Sequence, residues 1–247
     1  MYLLNIDANA KTVKGQKKGY LTGVVYLAPF NVSGINVCPM AELANCWETC
    51  LFVQGRAGIS AGSVKFTADD GREYSDNRII RARIERTKFF HEDREGYLIQ
   101  LEKEITALIR KADSMEFIPA VRLNGTSDIR WENVHFKNGD TIFSRFPDMI
   151  FYDYTKISNR KNLPKNYHLS WSYSEASERY ANMRPVDLNW VVVFSNKNFP
   201  DTFLGRKVID GDETDLRFLD DSGIVVGLKA KGSAKKDTSG FVVRIAA

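Results

Sequence analysis

The chain has 247 residues, 43% of them hydrophobic and 27% charged, the composition of a globular protein long enough for one large α/β domain. Its formal charge of +4 and pI near 8.8 admit an anionic partner without requiring one. No apolar run approaches the ~20 residues that span a bilayer, and the opening "MYLLNIDANAKTVKG" lacks the basic flank and apolar stretch of a signal peptide. No membrane association and a cytoplasmic location are therefore expected.

In chain order, a basic segment over 1–19 carries Lys11, Lys14, Lys17 and Lys18. The run "YLTGVVYLAP" (20–29) has the length and composition of a strand. A loop over 30–60 then holds all three cysteines, Cys38, Cys46 and Cys50. The basic "NRIIRARIERTKFF" predicts a helix. So does "DREGYLIQLEKEITALIRKAD", with Asp93 as N-cap and Tyr97, Leu98, Leu101, Ile105, Leu108, Ile109 and Ala112 at helical spacing. Five further strand-like runs follow: 117–128, 149–156, 167–175, 189–196 and 223–232. A short helix is expected over 174–183, and an acid-rich connection without helical period fills 196–222.

Strands alternating with helices imply βα units and a mainly parallel sheet. The expected fold is a single α/β domain over 1–247, a partial (β/α)6-type barrel. Sites on such sheets form at the carboxyl ends of the strands. That singles out Asn124, Thr126 and Asp128; Asp153, Thr155 and Lys156; Ser172 and Glu175; Ser195 and Lys197; and Lys229 and Lys231.

The cysteine spacing is C-x7-C-x3-C. Thiolates suit zinc, Cu(I) and iron–sulfur clusters. A structural zinc site wants four protein ligands, and the fourth would have to be His91, His135, His168 or a carboxylate. A [4Fe–4S] cluster on Cys38, Cys46 and Cys50 leaves one iron open and needs no fourth residue. Unligated core or redox thiols are the third reading. Just after the cysteines, Gly55, Arg56 and Gly58 could present amides and a guanidinium to an anion, or form a plain turn.

Asp153 and Lys156 could orient or protonate a substrate, or form an ion pair. Lys229 and Lys231 share one side of their strand. If buried they need an anionic partner, and if exposed they carry no function. The run "VIDGDETDLRFLDD" could gather Asp210, Asp212, Glu213, Asp215, Asp220 and Asp221 around a hard cation. It reads equally as a turn followed by a capped helix.

Nearly end to end, the chain resembles the "gene product 88" family of phages and mobile elements. The resemblance rests on "NAKTVKG", "GYLTGVVYLAP", the cysteine segment through "CLFVQGRAG", "AVRLNGTSD", "FYDYTK", "VIDGDETDLRFLD", "GIVVGLKAKG" and "KKDTSGFVV". It implies a phage-encoded protein of the host cytoplasm and carries no activity with it. More distantly, three cysteines after the first strand and "LNGTSD" after the second resemble radical S-adenosylmethionine enzymes. In those, a three-cysteine loop and a glycine-rich acidic turn hold cluster and cofactor. That likeness implies S-adenosylmethionine at Asn124, Gly125 and Asp128, with Gly125 allowing close approach. The departures are the spacing, which is usually C-x3-C-x2-C, the usual Gly-Gly-Glu turn, and Thr49 where an aromatic residue precedes the last cysteine.

Three functions are thus expected. One is an iron–sulfur protein, as an enzyme or not, acting on a small molecule. The second is a zinc- or thiol-stabilised nucleic-acid-binding protein. The third is a base-exchange enzyme with Asp128 or Asp153 as nucleophile. Asp128 could instead cap a short helix at "DIRWENV". The oligomeric state is left open.

Overall fold

The protein is described by a computed structural model over residues 1–6, 10–47, 49, 50, 52, 57, 65–68, 70–178 and 184–245. The six runs read as strands form β2 (Tyr20–Val25), β5 (Ile118–Arg122), β6 (Ile150–Thr155), β7 (Tyr167–Ser172), β8 (Asn189–Phe194) and β11 (Val225–Lys229). The chain begins with β1 (Leu4–Ile6) and α1 (Ala10–Gln16). After β2 come α2 (Phe30–Ser33) and a hairpin of β3 (Lys65–Thr67) and β4 (Glu73–Ser75).

The two expected long helices follow as α3 (Arg78–Glu92) and α4 (Arg94–Ser114). Asn77 caps α3 by accepting from the amides of Ile79 and Ile80, and Asp93 caps α4 by accepting from Gly96 N at 2.9 Å. Short helices α5 (Ile142–Arg145) and α6 (Glu175–Glu178) come later. Residues 179–183 of the helix expected over 174–183 lie outside the described residues.

With β9 (Thr202–Phe203) and β10 (Arg206–Asp210) added, one nine-stranded sheet runs in the order β1-β2-β5-β6-β7-β8-β11-β10-β9. Its seven inner strands are parallel, and the two edge strands, β1 and β9, are antiparallel to their neighbours. The fold is thus mixed α/β on a mostly parallel sheet, and among the described residues no ladder closes β1 onto β9. The connection 196–222 is not strand-free. It contributes β9 and β10, and β11 inserts between β8 and β10.

The apolar stripe of α4 (Tyr97, Leu98, Leu101, Ile105, Leu108, Ala112) packs on Leu21, Val25, Val121, Phe151 and Leu169 of the sheet, with Trp131 and Phe143 buried beside it. Burying a side chain of this kind stabilises by roughly 1.5–3 kcal/mol, so this interface is the main core. On Tyr20, Tyr152 and His168 lies the segment after β10, where Phe218 places its ring 5.1, 5.2 and 6.1 Å from theirs. Among the described residues no helix is long and apolar enough to cross a membrane.

Candidate functional site: a thiol cluster at the carboxyl ends of the strands

The turn after β5 is built around Asn124. Its Oδ1 accepts from Ser127 Oγ (2.8 Å), Ile129 N (3.0 Å) and Trp131 Nε1 (3.1 Å), and its Nδ2 donates to Ile129 O (3.0 Å). Gly125 donates its N–H to Val25 O at 3.0 Å. A Cβ there would lie 2.5 Å from that oxygen and 2.6 Å from Val24 Cγ1, so no larger residue fits against the end of β2. The close approach expected of Gly125 is thus an approach to β2.

Asp128 joins this turn to the end of β6. Its carboxylate accepts from Thr155 Oγ1 (2.7 Å) and Lys156 N (2.8 Å), with Arg160 Nη1 at 3.8 Å. It caps no helix. The 3-10 turn over Trp131–Asn133 has Arg130 at its N-cap, with no side-chain cap bond. Burial pushes the Asp128 pKa up, against the pull of these donors. Asp153 is fully buried and accepts from Asn124 N (2.9 Å), Leu123 N (3.2 Å) and Tyr167 Oη (2.9 Å). Burial pushes its pKa up to about 7, with Arg122 as the chief opposing influence.

The cysteine loop lies over this turn. Val37 O accepts from Asp128 N at 2.8 Å, and Cys38 Sγ stands 3.9 Å from Thr126 O. Cys46 Sγ faces Ala41 O at 3.7 Å, and Cys50 Sγ accepts from Phe52 N at 3.4 Å. All three thiols are free and partly buried. Asn45 Nδ2 donates to Ser239 O (2.8 Å), and Ser174 Oγ donates to Ala44 O (2.8 Å), so the loop is also pinned to the C-terminal segment and to β7's exit. From α3, Arg83 Nη1 donates to Phe52 O.

Lys156 reaches from the end of β6 toward the same place, donating to Tyr173 O at 3.0 Å beside the Phe241 ring. Burial lowers its pKa to about 8, opposed by negative charge on Cys46 and Asp128. Burial raises all three thiols, Cys50 to about 11. Cys38 is raised further by charge on Cys50, Asp128 and Cys46, whereas Lys156 opposes the rise at Cys46. Three thiols, one carboxylate and one ammonium therefore share one electrostatic neighbourhood. Among the described residues, there is no group of three or more His, Cys, Asp or Glu side chains that could hold a metal ion.

The remaining candidates lie elsewhere. Lys231 Nζ binds Asp212 Oδ1 at 2.7 Å, Lys229 N donates to Asp212 Oδ2 at 3.0 Å, and Lys11 Nζ of α1 stands 3.6 Å from the same carboxylate. Lys231 is thus an exposed lysine paired to Asp212 of the acid-rich run, and Lys229 meets that carboxylate through its backbone amide alone, so neither is the buried ammonium that would call for an anionic ligand. That run does not converge on a cation. Asp210 meets Lys197 (3.5 Å), Asp220 meets Arg217 (3.2 Å), and buried Asp215 takes Arg122 and Tyr154 Oη (2.7 Å). Gly55, Arg56 and Gly58 lie outside the described residues.

A parallel-sheet α/β protein with a thiol cluster over its strand ends is the class these features define. A model of the family described as Gene product 88 matches residues 3–245, and the chain belongs to that family. No curated protein and no solved structure matches the chain.

Proposed function

We propose that the protein holds a [4Fe–4S] cluster through Cys38, Cys46 and Cys50, leaving one iron open to a small-molecule ligand. The observation that carries this reading is the seating of the cysteine loop on the β5 turn, where Asp128 N donates to Val37 O and Cys38 Sγ stands 3.9 Å from Thr126 O, with Lys156 reaching in from the end of β6. Three thiolates complete the cysteine ligands of a cluster with one open iron, whereas a structural zinc site needs a fourth protein ligand, so the cluster is the reading three cysteines favour. When bound, a cluster of this kind supplies electron transfer or a Lewis-acidic iron.

The chain's own part is positional. Asp128 ties the turn beneath the thiols to β6, and Lys156 supplies a positive charge beside them. The run of sequential neighbours β2-β5-β6-β7-β8 supports reading the sheet as an unclosed barrel with this site at its mouth. Asn124, Gly125 and Asp128 are engaged within the chain, so the S-adenosylmethionine reading draws no support from them.

The test is metal content after anaerobic purification. Brown protein with about four irons per chain is expected, and Cys38→Ala, Cys46→Ala or Cys50→Ala should each remove most of the iron. Stoichiometric zinc, or no metal after anaerobic reconstitution, overturns the cluster.

A further inference from the structure

Beside the cysteine loop an open cavity of about 430 Å³ is walled by three separate stretches, 35–39, 90–94 and 128–130. Its floor is apolar, from Ile35, Val37, Pro39, Phe90 and Ile129. Its polar lining, apart from Asp128 and Asn36, consists of His91 and two arginines, Arg94 and Arg130. Asp128 is already engaged by Thr155 and Lys156, and Asn36 Oδ1 by Cys38 N at 2.9 Å.

The arginine donors are largely unspent. Arg94 lies over the Phe90 ring at 3.7 Å and donates from Nε to Phe90 O at 2.7 Å. Among the described residues nothing accepts from its two terminal nitrogens. Arg130 spends one terminal nitrogen on Asn159 Oδ1 at 2.6 Å, and the His91 ring has no hydrogen-bond partner among the described residues. A guanidinium presents its nitrogens as a fork that matches the oxygens of a carboxylate or phosphate. A volume of this size, an apolar floor and a few converging polar groups are the features of a small-molecule site.

We infer that this cavity binds a small organic anion, with its apolar body on Phe90 and Ile129 and its carboxylate or phosphate held by Arg94 and Arg130. Val37 and Asp128 line the cavity and flank Cys38 in sequence or space, so the ligand would lie against the thiol cluster. Its role as a substrate rests on the cluster reading, but its binding does not.

The experiment is calorimetric titration of the full chain with phenyl phosphate, benzoate and inorganic phosphate. Phenyl phosphate or benzoate should bind more tightly than inorganic phosphate, because only they cover the apolar floor, and the better of the two identifies the head group. Arg94→Gln and Arg130→Gln should each weaken that binding about tenfold, the worth of one charge-assisted bond, with unfolding temperature as the control for folding. A triple Cys38→Ser, Cys46→Ser, Cys50→Ser chain, unable to hold iron, should still bind. Binding that is absent, equal to that of inorganic phosphate, or indifferent to both arginine substitutions overturns the inference. No iron in the unsubstituted chain, with binding retained, would leave the cavity standing and overturn the cluster reading alone.

Discussion

Asp153 shows how far one residue's chemistry can differ from what its position suggests. Placed at a strand's carboxyl end it reads as an acid or base for substrate, yet its three hydrogen bonds come from Leu123 N, Asn124 N and Tyr167 Oη. It holds the β5 turn to β6. Its pKa is raised to about 7, so between the ordinary carboxylate value near 4 and pH 7 the folded chain keeps a proton the unfolded chain has lost. Stability from this residue is therefore greatest below about pH 4 and falls as pH rises to about 7, by at most about 4 kcal/mol. Urea unfolding at pH 4.5 and 7.5 should show this loss, and Asp153→Asn should flatten the difference while lowering stability at both pH values. An unchanged slope in the variant would place the titration elsewhere. The cysteines were legible as a group from residue type alone, because thiols crowded into thirteen positions have few uses. Asp153's role was not, since nothing local in "FYDYTK" reveals that Tyr167 and two amides of the turn after β5 will meet it.

At the scale of elements, the segment between β10 and β11 repays attention. It lays Phe218 on three rings and inserts Asp215 between Arg122 and Tyr154, so an acid-rich stretch becomes a clasp across the sheet. Arg122 and Asp215 are both buried, and the arginine holds the Asp215 pKa below the usual carboxylate range. Asp215→Ala should cost about 3–5 kcal/mol, because it strands a buried guanidinium, and Arg122→Met with Asp215→Leu should cost less than the single change. A solvent-exposed pair would give under about 1 kcal/mol in either case, and denaturant unfolding separates the two. Helices α3 and α4 and the six main strands were readable because their periodicity is local and their runs are long enough to display it. β9 and β10 were missed for the opposite reason. One has two residues, and the other, "RKVID", mixes charge with only two apolar residues as suits a strand near the sheet's edge. The clasp and the arginine-lined cavity were equally hidden, since each joins residues that sequence separates by tens of positions.

For the whole molecule, the notable feature is that β11 follows β10 in the chain but lies inside it in the sheet. The consequence is one of timing on the ribosome. β8, with Trp190, Val191, Val192 and Phe194 all buried in the finished protein, has β7 ready on one side as it emerges. Its other edge waits for β11, whose last residue, Lys229, comes 35 residues after Phe194. The stretch of β8 beyond β7 waits longer still, for Val243, which pairs beside Phe194. At ~5–20 residues per second, roughly two to seven seconds pass with an apolar strand edge open, and such an edge invites pairing with another chain. A chain ended at Ser222 should therefore collect in the insoluble fraction when expressed, while the full chain stays in the supernatant, as sedimentation of the lysate would show. Equal solubility of the two would mean that β10 can stand in for β11 along β8. Slow or stalled translation between residues 195 and 229 should then lower the yield of folded protein more than a delay of the same length within α4, where the growing end is a helix that satisfies its own backbone.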